Sequence, residues 1–432
     1  MNTGAIARGA AASGAATAPG THARHPDLLA YRAEFPLLSR STYLNTCSLG
    51  ARSERSRVNL ERHLAQWDSL GARSWYRHWM GELGGLRDDF GSVLGVPGSE
   101  IALAPNVSVT LATIASAVDA VHRGDDTALG ALRDAGIPAG TRPRRKVITT
   151  SLDFPTIGHQ WLARRPLGVE VVVIPAGDGL TVPLAAFEAA IDDDTALVAT
   201  GHVYFTTGAL QDMSGLARLA HARGALLLLD AYQATGIVPT DLGSADRDAL
   251  PDAYVSGTLK WLLGGTGNAF LWVRPELWPA LVPTTTGWFS SARQFAFDGA
   301  ALEFAADARR FELGTPPIPS VMIARGGLEV IREIGVQRLR ERTVDLADRM
   351  IAGADAAGLR VRAVRDPDSR GGILAIESTG PKSIVDGLAD RGIITDYRPG
   401  IVRLSPAFYN TEAEVDACID ALAELVPAAD RT

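Results

Sequence analysis

The most constraining stretch of this 432-residue chain is Ala225-Leu226-Leu227-Leu228-Leu229 followed by Asp230. A run that is apolar on both faces reads as a strand buried inside a parallel sheet. Asp230 then stands at the strand's C-terminal end, the edge at which open α/β sheets bind ligands. After Ala231-Tyr232-Gln233 and an acidic loop, Ala253-Tyr254-Val255-Ser256 reads as a second short strand. Lys260 follows it, set between Leu259 and Trp261 and trailed by Gly264 and Gly265.

Lysine is among the residues least often buried, so one placed among leucines and a tryptophan calls for a reason. Taken singly, Lys260 reads as a surface residue of a strand-to-loop turn, and Asp230 as the cap of a following helix. Taken together they suit another chemistry. A desolvated lysine forms a Schiff base with an aldehyde cofactor, and a carboxylate pairs with that cofactor's pyridinium nitrogen. This is the working pair of pyridoxal 5′-phosphate (PLP) enzymes. The segments Leu227-Leu228-Leu229-Asp230-Ala231-Tyr232-Gln233 and Lys260-Trp261-Leu262-Leu263-Gly264-Gly265-Thr266-Gly267 resemble the class V aminotransferase family of fold-type I PLP-dependent enzymes. Within it the chain is most similar to the kynureninase-like branch, with features of cysteine desulfurases and isopenicillin N epimerase.

That resemblance implies an α/β fold of the fold-type I transferase kind: a large domain on a mostly parallel, seven-stranded-type sheet and a small α+β C-terminal domain. The expected division is a disordered tail over 1–25, an N-terminal arm over 26–60, a large PLP-binding domain over 61–310 and a small domain over 311–432. Length agrees, because 432 residues exceed what one hydrophobic core usually supports. Alternating strands and helices agree as well: Lys146 to Thr150, Val169 to Ile174 and Ala196 to Ala199 read as strands, with a helix over 183–191 between the last two. The stretch from Gly124 to Pro143 reads as a loop insertion, and Ile318 opens a long amphipathic helix that continues past Gly335. A net charge of −7 argues against nucleic acid as a partner. Cys47 and Cys418 lie far apart with no paired spacing, so neither a disulfide framework nor a metal site is expected. No apolar run approaches the ~18 residues that cross a bilayer. The first residues lack the apolar core of a signal peptide, and a cytoplasmic protein is expected.

Further residues take roles from the family. Val107 and Ser108, at the start of a helix after Ala102-Leu103-Ala104-Pro105-Asn106, match the positions whose backbone amides hold the PLP phosphate, and a helix N-terminus suits that anion. Phe154, in Asp153-Phe154-Pro155-Thr156, matches the phenylalanine that stacks on the pyridine ring; Ile157 stands where kynureninases have an aspartate. Gln233 is the implied partner of the 3′-oxygen. Trp288 and Thr315 lie on loops that, in the resembling enzymes, cross a homodimer interface to the neighbouring subunit's phosphate. Arg403, between apolar neighbours, needs an acid partner, and its planar fork matches a carboxylate. A structural salt bridge would explain it; the family makes it the clamp for the substrate's α-carboxylate, within Arg403…Ser405-Pro406…Tyr409-Asn410-Thr411. Asn45, in Tyr43-Leu44-Asn45-Thr46-Cys47-Ser48, lies where the family's N-terminal arm approaches the substrate, although a plain edge strand explains the same residues. His202 reads as a hydrogen-bonded core histidine.

Departures from the pattern bear on the substrate. Residues 396–402 contain no cysteine, which disfavours desulfuration, and Leu259 replaces the histidine that desulfurases and the epimerase carry. Asp396-Tyr397-Arg398 supports kynureninase, whereas Gln233 and Thr315 stand where kynureninases have histidine and asparagine. The reading is a PLP enzyme acting at Cα or Cβ of a small or modified L-amino acid, by transamination or Cβ elimination, as a homodimer with shared active sites. Hydrolysis of L-kynurenine is the alternative, and a non-catalytic PLP-binding sensor or scaffold a second one.

Overall fold

The computed structural model describes residues 24–431; residues 1–23, most of the expected tail, and Thr432 lie outside the described residues. Two proline-led 3₁₀ turns, Pro26–Glu34 and Pro36–Ser39, open the arm and lead to the short strand β1 (Thr42–Tyr43). Helix α1 (Glu54–Leu70) begins at Ser53, whose hydroxyl accepts from the Ser56 amide, and α2 (Met80–Leu94) ends at Gly95 in the left-handed conformation. Between the two helices, Trp67, Trp75, Trp79 and His63 pack their rings on one another.

The chain then alternates: β2 (Ile101–Ala104), α3 (Val107–Arg123), α4 (Asp126–Asp134), β3 (Lys146–Thr150), α5 (Pro155–Leu162), β4 (Glu170–Ile174), α6 (Leu184–Ala190), β5 (Thr195–Gly201), α7 (Met213–Ala222), β6 (Leu226–Asp230), β7 (Ala253–Gly257) and β8 (Ala269–Val273). The seven strands form one sheet in the order β2-β8-β7-β6-β5-β3-β4. Strands β3 to β7 run parallel, and β8 is antiparallel to both β7 and β2. Strand β6 is buried on both faces, as its unbroken leucines require. Leu227 and Leu229 join the core that holds Phe90, Phe270 and Ile331, while Leu226 and Leu228 join the core of Leu111, Ile114 and Trp161. Burying each such side chain contributes about 1.5–3 kcal/mol.

Beyond the sheet come α8 (Ile318–Ile334), α9 (Val336–Ala356), β9 (Val361–Arg362), β10 (Leu374–Glu377), α10 (Pro381–Ala389), β11 (Ile393–Ile394), β12 (Asp396–Arg398), β13 (Ile401–Leu404) and α11 (Glu412–Leu425). Helix α8 packs on α1 and α2, and α9 packs on α11. Gly335, at φ 87°, separates the two helices. A four-stranded antiparallel sheet, β12-β13-β10-β9, completes this end, and β1 of the arm pairs in parallel with β11. One expectation is corrected: Gly124–Pro143 is not merely a loop, because it holds α4. Asp125 caps that helix through the Ala128 amide, and Leu129 and Leu132 bury one stripe against the core. The glycines and alanines around this stripe hide its helical spacing.

Candidate active site

Strands β3, β5, β6 and β7 end on one edge of the sheet, and a cavity of about 340 Å³ opens there. Val107, Ser108, Phe154, Asp230, Gln233, Lys260 and Arg403 all border it. The site therefore draws on the C-terminal ends of parallel strands, where backbone geometry leaves a crevice between diverging loops.

Lys260 follows β7 in a tightly held loop. The Gly264 amide donates to the Thr258 carbonyl, the Thr258 hydroxyl donates to the Gly265 carbonyl, and Leu263 takes a positive φ of 57°. The arm presses on this loop from outside: the Gly50 amide donates to the Leu259 carbonyl at 2.8 Å. A Cβ on Gly50 would stand 2.2 Å from the Lys260 carbonyl oxygen. Of the three lysines in the chain, Lys146 pairs with Asp192 and Lys382 with Asp386, whereas Lys260 makes no direct ion pair among the described residues. Its Nζ lies 4.5 Å from the centre of the Tyr232 ring and 5.8 Å from that of Phe154. Burial pushes its ammonium down to about 8, against the opposing pull of Asp230 and Cys47, with the Arg403 and Arg398 charges helping to lower it. An amine of this kind is available as nucleophile and base near neutral pH.

Asp230 ends β6 and is buried; Oδ1 accepts from the Tyr232 amide at 2.9 Å, and Oδ2 has no hydrogen-bond partner among the described residues. Burial raises its carboxyl, while the Tyr232 amide and the Lys260 charge lower it. Gln233 is buried and anchored: Nε2 donates to the Cys47 carbonyl and Oε1 accepts from the Trp261 indole. Phe154 is 45% exposed on the cavity wall, meeting Phe205 edge-on at 5.1 Å between centres. Beside it Asp153 accepts from the Thr150 and Gly201 amides and the Thr200 hydroxyl, tying β3 to β5; burial raises its carboxyl to about 6.

Helix α3 starts at Asn106, whose Oδ1 accepts from the Val109 amide, and its first turn holds no acidic residue. The amides of Val107 and Ser108 face no intrahelical carbonyl, so the first turn is open to an anion. Arg403 borders the cavity from β13, and Asp396 stands opposite it in the β12–β13 register. Arg403 donates to both oxygens of Asp396, at 2.8 and 2.5 Å, and to the Phe205 carbonyl at 2.7 Å. Burial would raise Asp396, but the Arg403 hydrogen bond and charge and the nearby Arg398 outweigh it and hold the carboxyl below its usual range.

Other expected residues lie elsewhere. Trp288 and Thr315 are exposed and border a separate hollow with Trp75, Tyr76, Phe295 and Phe297. Asn45 is not on the cavity wall; its backbone bridges to Ser405, while its neighbours Cys47 and Ser48 do line the cavity. His202 is a buried core residue that meets Tyr254 edge-on, and burial takes its ring down to about 4; contrary to expectation, its Nδ1 has no hydrogen-bond partner among the described residues. From sequence, Tyr232, Phe205 and Asp153 carry no site role and Arg398 stands only within Asp396-Tyr397-Arg398, although Tyr232 lies between Asp230 and Gln233. The Ser-Pro…Tyr-Asn-Thr signature proves to hold the arm. The Ser405 hydroxyl accepts from the Cys47 amide, Tyr409 pairs with Thr46, Asn410 donates to the Tyr43 carbonyl, and Thr411 caps α11 in a capping box.

An exposed aromatic ring, a helix start open to an anion, a buried acid with a free oxygen and an unpaired lysine fit a planar, phosphorylated pyridine aldehyde. Sheet order and site together define a fold-type I enzyme dependent on pyridoxal 5′-phosphate. The model of the family described as aminotransferase class-V matches residues 128–418, and the chain belongs to that family. It is 33% identical over 395 residues to the uncharacterized aminotransferase YcbU of Bacillus subtilis (strain 168), covering 91% of this chain and 96% of the relative. To the kynureninase of Pseudomonas fluorescens it is 30% identical over 409 residues, 91% of each chain. Its fold is similar to that of a cysteine desulfurase from Thermococcus onnurineus NA1, with a TM-score of 0.77 at 20% identity over 93% of this chain and 98% of that one. The cystine C-S lyase C-DES in complex with cysteine persulfide gives 0.77 at 18% identity, over 91% and 100%. Among the described residues no helix is long and apolar enough to cross a membrane.

Proposed function

We propose that this PLP-dependent enzyme acts at Cα or Cβ of an L-amino acid, by transamination or Cβ elimination, with Lys260 as both the cofactor's attachment point and the base. The observation that carries this is the meeting of Lys260, Asp230 and Phe154 around one cavity with the start of α3. When bound, pyridoxal 5′-phosphate supplies an aldehyde for the lysine and an electron sink for a carbanion at Cα. The chain's own residues do the rest. The Val107 and Ser108 amides hold the phosphate, the Phe154 ring covers the pyridine, and Asp230 keeps a proton on the ring nitrogen. Gln233 keeps one Nε2 hydrogen for the 3′-oxygen while the other holds the arm. Arg403, fixed by Asp396, receives the α-carboxylate and turns the Cα–H bond towards Lys260. Once an incoming amine frees it, the neutral Nζ takes that proton. Asn45 contributes to the substrate pocket through the arm that it anchors.

In this reading the enzyme is a cytoplasmic homodimer. Trp288 and Thr315 serve the partner's phosphate, and the exposed aromatic residues around them are covered by a second copy. A second reading, hydrolysis of L-kynurenine, is favoured by the kynureninase likeness over 91% of the chain and by Arg398 on the cavity wall. Gln233, Thr315 and Ile157 weigh against it. The test is to add amino acids to the cofactor-loaded protein, follow its visible absorbance, and assay for keto acid, pyruvate and anthranilate. Absence of cofactor absorbance in wild type, or its survival in Lys260→Ala, overturns the reading; anthranilate selects the second one.

A further inference from the structure

Two arginines of the cavity wall and one acid stand together on the β12–β13 hairpin. Asp396 accepts from Arg403 through both oxygens, and Arg398 Nη1 lies 3.2 Å from Asp396 Oδ2. One carboxylate against two guanidinium groups leaves a net positive charge beside the bound substrate. The two arginines are held differently. Arg403 is buried and spends three of its five N–H donors within the chain, leaving two for one carboxylate. Arg398 donates from Nη1 to the carbonyl of its neighbour Tyr397, and its Nε and Nη2 have no hydrogen-bond partner among the described residues. Both line the same cavity as Lys260. Strand register sets their spacing, because Arg398 pairs with Ile401 and Asp396 with Arg403 across β12–β13. Two cations held on one hairpin, each with donors to spare, are suited to two anionic groups on one small molecule.

Resting on the reading that Arg403 takes the α-carboxylate, we infer that Arg398 selects an amino acid with a second carboxylate on a short side chain. Cavity size agrees with a short side chain. About 340 Å³ is near the lower end of the range for ligand pockets, roughly 300–1,000 Å³, and the cofactor occupies part of it. Among the described residues, Asp396 is the one acid that pairs with Arg398. Asp153 is engaged by Thr150, Thr200 and Gly201, and Asp230 lies at the end of β6.

The test compares isosteric pairs on the cofactor-loaded protein: L-aspartate against L-asparagine and L-glutamate against L-glutamine, each titrated while the visible absorbance is followed. At least one acid is expected to reach half-maximal change at a roughly ten- to hundredfold lower concentration than its amide, the range of one hydrogen bond to a charged group. Arg398→Gln should abolish that preference, bringing the half-maximal concentrations of acid and amide together, and Arg398→Lys should restore part of it. Equal responses to acid and amide, no response to either acid, or equal weakening of both by Arg398→Gln overturns the inference. The resting absorbance separates the two failures. If it is absent, the functional reading itself falls; if it is present and the acids show no advantage, only the role of Arg398 falls. A cofactor-independent arm uses calorimetry on the cofactor-free protein, where succinate should bind more tightly than butyrate and lose that advantage in Arg398→Gln.

Discussion

Lys260 has a basicity set by where it sits. Its amine is held among Tyr232, Phe154 and the leucines of its loop, and desolvation lowers it to about 8 although Asp230 acts in the opposite direction. With three lysines in the chain, labelling can be assigned to position. In cofactor-free protein, the pH profile of acylation read by peptide mass should have its midpoint near 8 at Lys260, while Lys382, raised by its pair with Asp386, reacts only at higher pH. The sign for stability follows. The folded value lies below the ordinary 10.5, so between about 8 and 10.5 the unfolded chain binds more protons. Stability of the cofactor-free protein should then rise with pH across that window. Lys260→Met should lack this rise in denaturant midpoint; an equal rise in both proteins would assign it to other groups. If Asp230 pairs with the cofactor ring as proposed, Asp230→Ala should weaken cofactor retention by about 1.5–3 kcal/mol, roughly ten- to hundredfold, measured by equilibrium dialysis.

The elements around the site are coupled through the arm. Ser405, Tyr409 and Asn410 hold residues 43–47, and Gly50 in turn meets the carbonyls of Leu259 and Lys260. Gly50→Ala should displace the lysine loop: cofactor retention falls at least tenfold, while far-ultraviolet circular dichroism stays at the wild-type value. At the start of α3, Asn106→Ala should cost about 1 kcal/mol through the lost cap and reduce phosphate protection against unfolding. The strand–lysine unit was readable because a double-faced apolar run and an isolated lysine are strong local signals. Helix α4 was not, since its stripe is two leucines long. The C-terminal signature was readable as a pattern but not as a job, because its contacts lie more than 350 positions away along the chain.

At the scale of the molecule, an aromatic surface stands out. Tyr76 and Phe297 are 74% and 73% exposed, next to Trp288 and Phe295. Exposed aromatic groups of this size mark association surfaces. Sedimentation should find a dimer, and Tyr76→Ser with Phe297→Ser should weaken it at least tenfold and lower cofactor occupancy together with it. A monomeric wild type with full occupancy would remove Trp288 and Thr315 from the phosphate site. The buried central strand and the lysine–acid pair follow from local patterns of burial and spacing, and the sequence by itself determined them, whereas the seven-stranded sheet and the role of the α3 start came from the resemblance to the family. The three-dimensional fold alone decided that Asp396 fixes Arg403, that Arg398 shares their cavity, that Tyr232 flanks the amine and that the arm closes on the lysine loop. These contacts join segments far apart in the chain, and a one-dimensional pattern has no means of stating which distant groups meet once the chain has collapsed.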